Sequence, residues 1–137
     1  MRFVDTNVLL YAISRDPDEA TKAGRANGII AVGDIGLSVQ VLQEFYVQST
    51  RTSRDDAISH EQAVGLIEAW RRFPVQETTV DLMVAAFTTR RRFGISYWDA
   101  AIIEAGRSLG CAVVLSEDLD TATDYDGVRI ENPFDEG

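Results

Sequence analysis

Four acidic residues occupy positions at which α/β proteins place reactive side chains. Asp5 and Asp118 each follow a predicted strand, Asp99 lies in the first turn of a predicted helix, and Glu44 lies within another. Ligands of open α/β sheets bind beyond the carboxyl ends of the strands, so all four side chains can point at one edge of the sheet. Acids grouped in this way repel one another unless a cation neutralises them, and a bound cation can activate water for hydrolysis.

Any metal in such a site has to be bound by oxygen. Cys111 and His60 are the single cysteine and the single histidine, so one chain cannot assemble a zinc site of nitrogen and sulfur ligands. We expect Cys111 to be a buried thiol that acts as a small hydrophobe. Mg²⁺ suits a carboxylate cluster because it prefers oxygen ligands and keeps several of its waters.

Each of the four acids also has an ordinary structural interpretation. Asp5 can cap the first helix, and Asp118 can be a turn residue. Ser96 and Asp99 have the spacing of a capping box. Glu44 lies on a polar line with glutamines four residues before and after it, which is typical of a solvated helix face. Only the combination of the four residues favours a common site.

Short apolar runs alternate with helical patterns along the chain, which predicts a parallel sheet covered on both faces. Ser38, Ser59 and Ser96 precede helical patterns as N-caps, and Gly94 ends one. The predicted strands are 2–4, 35–38, a short edge strand within 74–78, 111–116 and 128–130. The predicted helices follow Asp5, run from 16 to about 33 and from 39 to about 51, and cover 59–70, 80–93 and 96 to about 109.

Composition and length predict one α/β domain over residues 1–137. The chain has 45% hydrophobic and 26% charged residues, without an evident linker or internal repeat. The first residues resemble no signal peptide and no run of 18 apolar residues occurs, so we expect a cytoplasmic protein without a membrane partner. The net charge of −9 argues against non-specific binding to nucleic acid.

Trp98 and Asp120 lie close in sequence to two of the four acids, and we expect structural roles for both. Trp98 begins a spacing, shared with Ala101, Ile102, Ala105 and Leu109, that predicts a core stripe in which Trp98 packs rather than stacks on a base. Asp120 lies in a loop rich in Thr and Gly, where we expect a solvated acid.

Four short motifs, in this order and spacing, resemble the PIN-domain nucleases, and more narrowly the VapC-like toxins of type II toxin–antitoxin pairs. The resemblance covers essentially the whole chain. It implies a PIN-like fold with a short, mostly parallel central sheet flanked by helices. It also implies an endoribonuclease that depends on Mg²⁺ or Mn²⁺, forms a homodimer and is inhibited by a cognate antitoxin. The motifs are Phe3-Val4-Asp5-Thr6-Asn7, Val41-Leu42-Gln43-Glu44-Phe45, Tyr97-Trp98-Asp99-Ala100 and Leu115-Ser116-Glu117-Asp118-Leu119.

On this resemblance, the acids acquire roles in cleavage of an RNA phosphodiester. Asp5, Asp99 and Asp118 are expected as direct or water-bridged metal ligands. Glu44 is expected as a further ligand or as an orienter of metal-bound water. We expect Thr6 and Ser116 to hold these acids by hydrogen bonds.

An RNA substrate requires a local basic patch in an acidic protein. Arg90, Arg91 and Arg92 end a predicted helix just before the Asp99 segment. Cations at a helix C-terminus also stabilise the helix itself, so a purely structural role stays open. The functional interpretation is that they contact RNA phosphates.

Two rival functions remain open at this point. A phosphatase could use the Asp after the first strand as phosphoacceptor, but Asn7 stands where dehalogenase-type phosphatases place a second Asp, and Lys22 lies too early for their later lysine. A catalytically silent PIN-like module could act only by binding protein. Retention of all four acids argues against such a module, because an acidic cluster is costly without metal.

Overall fold

Six strands form one sheet, and the site lies at the carboxyl ends of its central strands. The computed structural model describes residues 1–135. The strands run in the spatial order β3-β2-β1-β4-β6-β5, and the described pairings are parallel except that of β5 with β6. Their bounds are β1 Arg2–Val4, β2 Ile35–Ser38, β3 Val75–Gln76, β4 Val113–Leu115, β5 Asp124–Tyr125 and β6 Val128–Glu131.

Six α-helices and one 3₁₀ turn at Pro17–Glu19 connect these strands in the described range. Asp5, Ser38 and Ser96 are the N-caps of three helices, because the side chain of each accepts a hydrogen bond from a free amide of the first turn. Asp5 directly follows β1, and Ser38 is the last residue of β2. Gly94 ends α5 with a φ of 66°, a left-handed conformation that glycine adopts without strain. The helices are α1 Thr6–Ala12, α2 Ala20–Val32, α3 Val39–Ser49, α4 His60–Trp70, α5 Val80–Phe93 and α6 Tyr97–Ser108.

Helix α6 lies very close to the centre of the sheet, and this packing fixes the position of Asp99 in its first turn. A Cβ atom on Gly106 would lie 3.2 Å from both Phe3 Cβ and Val114 Cγ2. Phe3 and Val114 are fully buried residues of the paired strands β1 and β4. A larger residue at position 106 would therefore push α6, and Asp99 with it, away from the strand ends.

The predicted α/β fold with its mostly parallel sheet is confirmed. Strand β5 was not predicted: Asp124–Tyr125 pairs antiparallel with β6 through a turn in which Asp126 has φ 54° and Gly127 has φ 96°. The prediction that Trp98 packs in the core is wrong, because 63% of its surface is exposed. Ala101, Ile102 and Ala105 of the same stripe are buried as expected. No helix within residues 1–135 combines the length and apolar character needed to cross a membrane.

Candidate active site

Asp5 lies at the carboxyl end of β1 and is the acid held most tightly. It is buried, with 9% of its surface exposed. Its Oδ1 accepts a hydrogen bond from the Thr6 amide at 2.7 Å, so the helix-capping role of Asp5 is real. Its Oδ2 accepts from the Ser116 hydroxyl at 2.8 Å. Both carboxylate oxygens are thus oriented by residues that flank the ends of β1 and β4.

Asp118 follows β4 and is joined to Asp5 through one amide side chain. Asn7 Nδ2 lies 3.4 Å from Asp5 Oδ2, 3.2 Å from Ser116 Oγ and 3.2 Å from Asp118 Oδ2. The Ser116 hydroxyl oxygen also accepts the Asp118 amide at 3.1 Å. Asn7 therefore spans the two strand ends, a role that the sequence analysis did not assign to it. Its position two residues after Asp5 was the only signal available.

Glu44 reaches the same place from the middle of α3. The Thr6 hydroxyl donates to Glu44 Oε2 at 2.6 Å, and Gln40 Nε2 donates to Glu44 Oε1 at 3.0 Å. The polar line of Gln40, Glu44 and Gln48 along α3 thus faces the site, since all three line the cavity described below. Thr6 and Ser116 both hold acids by hydrogen bonds, as expected, and the structure shows that Thr6 bonds Glu44 and Ser116 bonds Asp5.

Asp99 enters from the first turn of α6. Ser96 Oγ accepts the Asp99 amide at 3.1 Å, which is the first half of the predicted capping box. Within the described range, the Asp99 carboxylate receives no hydrogen bond, and the reciprocal bond of the box is absent. The backbone amide of Asp99 therefore serves the cap, and its carboxylate can bind a ligand.

The structure brings all four predicted acids to one cavity of about 140 Å³. Polar side chains from α1 and α3 complete much of its wall. They are Thr6, Asn7, Gln40 and Gln48. A larger groove of about 720 Å³ lies elsewhere and shares no residue with this cavity. That groove is lined mainly by apolar side chains, whereas four carboxylates converge on the smaller cavity.

The electrostatics of the cavity disfavour a full set of negative charges. Burial raises the pKa of Asp5 to about 6. Hydrogen bonds from Ser116 and Thr6 oppose this rise, and the charges of Glu44 and Asp118 reinforce it. A buried acid with like charges around it is neutralised either by a proton or by a cation.

A divalent cation fits this donor set by its chemistry. Every candidate ligand is an oxygen, as Mg²⁺ and Mn²⁺ prefer. In residues 1–135 no three His, Cys, Asp or Glu side chains are arranged to hold one ion directly. Mg²⁺ usually binds through one or two carboxylates and retains several waters. Contacts bridged by water therefore suit acids that are not arranged to hold one ion directly.

The family of the chain follows from comparison with known proteins. The family model described as PIN domain matches residues 2–127. The chain belongs to the PIN domain family. The matched range includes Asp5, Glu44, Asp99 and Asp118. No curated relative matches the chain in sequence.

Several solved structures share the fold of this PIN domain at low sequence identity. VapC20 of Mycobacterium tuberculosis, named as a Sarcin-Ricin loop cleaving toxin, is 23% identical with a TM-score of 0.70, over 94% of this chain and 99% of its own. A toxin–antitoxin complex from Klebsiella pneumoniae is 14% identical with a TM-score of 0.70, over 98% of both chains. DNA-bound VapBC from Salmonella typhimurium is 18% identical with a TM-score of 0.67, over 97% and 98%.

Beside the cavity of this PIN domain lies a second acidic group that the sequence analysis missed. Glu117 Oε2 is 2.7 Å from Lys22 Nζ, and its Oε1 accepts from the Tyr11 hydroxyl at 2.6 Å. Burial acts to raise the pKa of Glu117, but the hydrogen bonds from Lys22 and Tyr11 outweigh it and lower the pKa. Glu117 immediately precedes Asp118 yet does not line the carboxylate cavity.

The predicted arginine patch lies in the last turn of α5. Arg92 is paired with Asp126 at 2.8 Å, and its guanidinium lies 5.2 Å from the centre of the Phe93 ring. Arg90 and Arg91 are exposed. Contact of these arginines with RNA stays a prediction. Asp120 is engaged in its own loop, accepting from Ala122 N at 2.9 Å and Thr123 Oγ1 at 2.7 Å.

Proposed function

We propose that this PIN domain is an endoribonuclease that depends on Mg²⁺, with Mn²⁺ able to substitute, and that it is the toxin of a toxin–antitoxin pair. The observation that carries the proposal is the convergence of Asp5, Glu44, Asp99 and Asp118 from four separate elements on one small cavity. Family membership supports a nuclease of this kind. The same acids are the candidate catalytic and metal-binding residues.

The residues present divide into acids that would hold the cation and polar groups that orient them. Asp5, Asp99 and Asp118 would hold it directly or through water, and Glu44 would hold it or orient a water. When bound, the cation supplies Lewis-acid stabilisation of phosphate and lowers the pKa of a bound water. Thr6 fixes Glu44 by its hydrogen bond. Ser116 and Asn7 fix Asp5 relative to Asp118.

The proposed partners are an RNA substrate, a second copy of this chain and a cognate antitoxin. VapC20, which shares the fold, is named as a toxin that cleaves the Sarcin-Ricin loop, and other fold neighbours are toxin–antitoxin complexes. The apolar groove of about 720 Å³ lies between α3, α4 and β3, where an apolar segment of an antitoxin could dock. Val80, Val84 and Phe87 form an exposed stripe on α5 that suits contact with a second copy.

The decisive test is cleavage of labelled RNA by the purified chain. We expect cleavage with Mg²⁺ or Mn²⁺, none in EDTA, and restoration when metal is returned in excess. A DNA strand of the same sequence, which lacks 2′-hydroxyls, controls for a general nuclease. Absence of cleavage over a panel of tRNA, rRNA and mRNA substrates, with a folded and metal-bound protein, would favour the silent binding module.

The toxin role has a separate test in cells. We expect expression of the chain alone to arrest bacterial growth, and coexpression with its antitoxin to restore growth. Unimpaired growth at verified soluble expression in several hosts counts against the toxin role. An Asp5→Asn chain expressed at the same level is the matched control, since it should be harmless if arrest depends on the proposed active site.

We also propose that Arg90, Arg91 and Arg92 contact RNA phosphates. Replacing all three with Gln should weaken binding similarly for different RNA sequences. It should also reduce the slope of log affinity against log salt, because fewer counterions are released. Arg92 is already paired with Asp126, so we expect Arg90 and Arg91 to contribute more than Arg92. An unchanged salt slope would restore the helix-end explanation.

A further inference from the structure

Trp98 presents a large aromatic ring to solvent directly beside the carboxylate cavity. Its surface is 63% exposed, and it immediately precedes Asp99 in the first turn of α6. Tyr97 meets its ring edge-on with the centres 5.0 Å apart. Gln40 Nε2 donates to the Trp98 backbone oxygen at 3.3 Å, which ties this turn to α3. An exposed indole held beside a proposed active site is a surface on which another flat group can stack.

A hollow of about 360 Å³ lies between Trp98 and the outer side of α3. It shares four of its lining residues with the carboxylate cavity, namely Gln40, Glu44, Gln48 and Trp98. The two spaces are therefore neighbours across Glu44. A chain of nucleotides cleaved at the carboxylates would have its adjoining residue within reach of this hollow.

The walls of the hollow carry polar groups that match a nucleotide. Gln43 and Gln48 add amide groups, which hydrogen-bond to the edges of unpaired bases. Arg51 adds a guanidinium just after the end of α3, and in residues 1–135 it forms no ion pair. A guanidinium is suited to an adjacent phosphate. An apolar protein side chain would cover Trp98 and Val47 but would leave these amides and this cation unmatched.

We propose that the hollow binds one unpaired nucleobase of the substrate, stacked on Trp98, with the neighbouring phosphate on Arg51. This inference rests on the proposed nuclease function, because it places the base next to the bond to be cleaved. Aromatic stacking tolerates every base, so Trp98 supplies affinity for single-stranded segments. The amides of Gln43 and Gln48 are the groups that would favour one base over another.

Fluorescence of Trp98 gives a binding test that does not depend on cleavage. The other tryptophan, Trp70, is 5% exposed and packs edge-on against Phe45 at 4.8 Å. In a Trp70→Phe chain the emission therefore reports Trp98 alone. With EDTA present, we expect short single-stranded oligoadenylate and oligouridylate to quench this emission as they bind. Unchanged emission at saturating oligonucleotide, with binding verified by anisotropy of a labelled strand, would overturn the proposal.

Substitutions separate stacking from simple apolar contact. Trp98→Ala should weaken binding by about 5- to 150-fold, the usual range for loss of one base stack. Trp98→Phe should restore most of the affinity, and Trp98→Leu should restore little. Val32→Ala is the control, because Val32 is 78% exposed on α2 and does not line the hollow. Equal affinity of the wild-type chain and Trp98→Ala would contradict the proposal.

The phosphate contact has its own control. Arg51→Gln should lower affinity and reduce the salt slope by about one phosphate contact. Arg72→Gln, at the exposed end of α4, should leave both unchanged. If Trp98→Ala leaves RNA binding intact but converts a dimer to a monomer, the hollow is a protein interface and the proposal is wrong. Because binding is measured in EDTA, failure of metal-dependent cleavage would be seen separately, as failure of the proposed nuclease function.

Discussion

Two acidic regions adjoin at the end of β4 and differ in how their charges are balanced. Glu117 is paired with the Lys22 ammonium and the Tyr11 hydroxyl, and its pKa is lowered. Asp5 is buried near other carboxylates, and its pKa is raised to about 6. The first region is complete without a ligand, whereas the second is stabilised by anything that brings positive charge. Both acids lie near strand ends, so position alone does not separate an acid proposed to bind metal from a structural one. The difference is whether a cation of the protein already neutralises the carboxylate.

The largest expected difference between the two regions is in catalysis. Asp5→Asn removes one charge from the proposed metal site while nearly preserving shape, so RNA cleavage should fall by about a thousandfold or more, the several kcal/mol that a bound metal supplies. Glu117→Gln should retain most of the activity, since its side chain does not line the cavity. Initial cleavage rates at saturating Mn²⁺ measure both. Similar losses in the two variants would show that the regions act as one site.

The pH dependence of stability should have opposite signs in the two regions. In metal-free protein the pKa of Asp5 is raised from 3.8 to about 6, so its ionisation opposes folding. That cost is absent at low pH, grows between about pH 4 and 6, and is complete above the folded pKa. The free energy of unfolding of Asp5→Asn should therefore rise relative to that of wild type as pH rises. Between low and neutral pH this relative gain should reach about 3 kcal/mol.

Glu117 provides the reverse case for the same experiment. Its folded pKa is lowered, so its ionisation favours folding above the unfolded pKa and that contribution is lost as pH falls through the folded value. At neutral pH Glu117→Gln should be less stable than wild type. This difference in the free energy of unfolding should disappear only below about pH 4. Urea unfolding of the three proteins in EDTA from about pH 2.5 to 7 checks both signs. A pH-independent difference at Asp5 would contradict the raised pKa.

Metal binding should separate Asp99 from a simple cap. A ligand at a hundred times its Kd stabilises the folded state by about 2.7 kcal/mol, so excess Mg²⁺ or Mn²⁺ should raise the melting temperature of wild type. Asp99→Asn should lose most of that rise and melt in EDTA at or above the wild-type temperature, because one repelling charge is gone.

The capping alternative for Asp99 predicts the opposite pattern. The hydrogen bond that the Asp99 backbone amide donates to Ser96 Oγ survives the substitution. Loss of a carboxylate cap would therefore lower the free energy of unfolding by at most about 1 kcal/mol in any buffer. A variant that melts lower in EDTA yet keeps the full metal-induced rise would remove Asp99 from the proposed site. Glu117→Gln should keep the full rise and serves as the control.

Local sequence signals predicted the frame of the site, whereas of its contacts only the support of the acids by Thr6 and Ser116 was expected, from the family resemblance. Ser38 and Gly94 set the start of α3 and the end of α5, because caps and left-handed glycines act within one turn. The role of Asn7 was not predictable in this way, since its amide reaches Ser116 and Asp118, which are distant in sequence. Strand β5 was missed because its two residues lie in a stretch rich in Thr, Asp and Gly, which is typical of a loop.

Trp98 shows why side-chain burial is the harder part of the prediction. The spacing of its helix predicts one apolar stripe, and the later positions Ala101, Ile102 and Ala105 do face the sheet. The first turn of α6 instead reaches the cavity that Trp98 helps to line. Periodicity reports the face of a helix, whereas exposure depends on where the neighbouring strands end.

The smallest expected effect is at Lys22, and it tests whether the paired region is only structural. Lys22 Nζ lies 2.7 Å from Glu117 Oε2 and 4.8 Å from the centre of the Tyr11 ring, but the side chain is 39% exposed. Ion pairs this accessible contribute little, so Lys22→Met, which keeps the apolar stem, should lower the melting temperature by only a few degrees. Cleavage should be unchanged, and Glu117→Gln should add little once Lys22 is gone, because the two share one interaction. A folded Lys22→Met chain that loses cleavage would place a cation among the reacting groups. The contrast between a self-neutralised region and one that we propose a metal neutralises would then fail at Lys22.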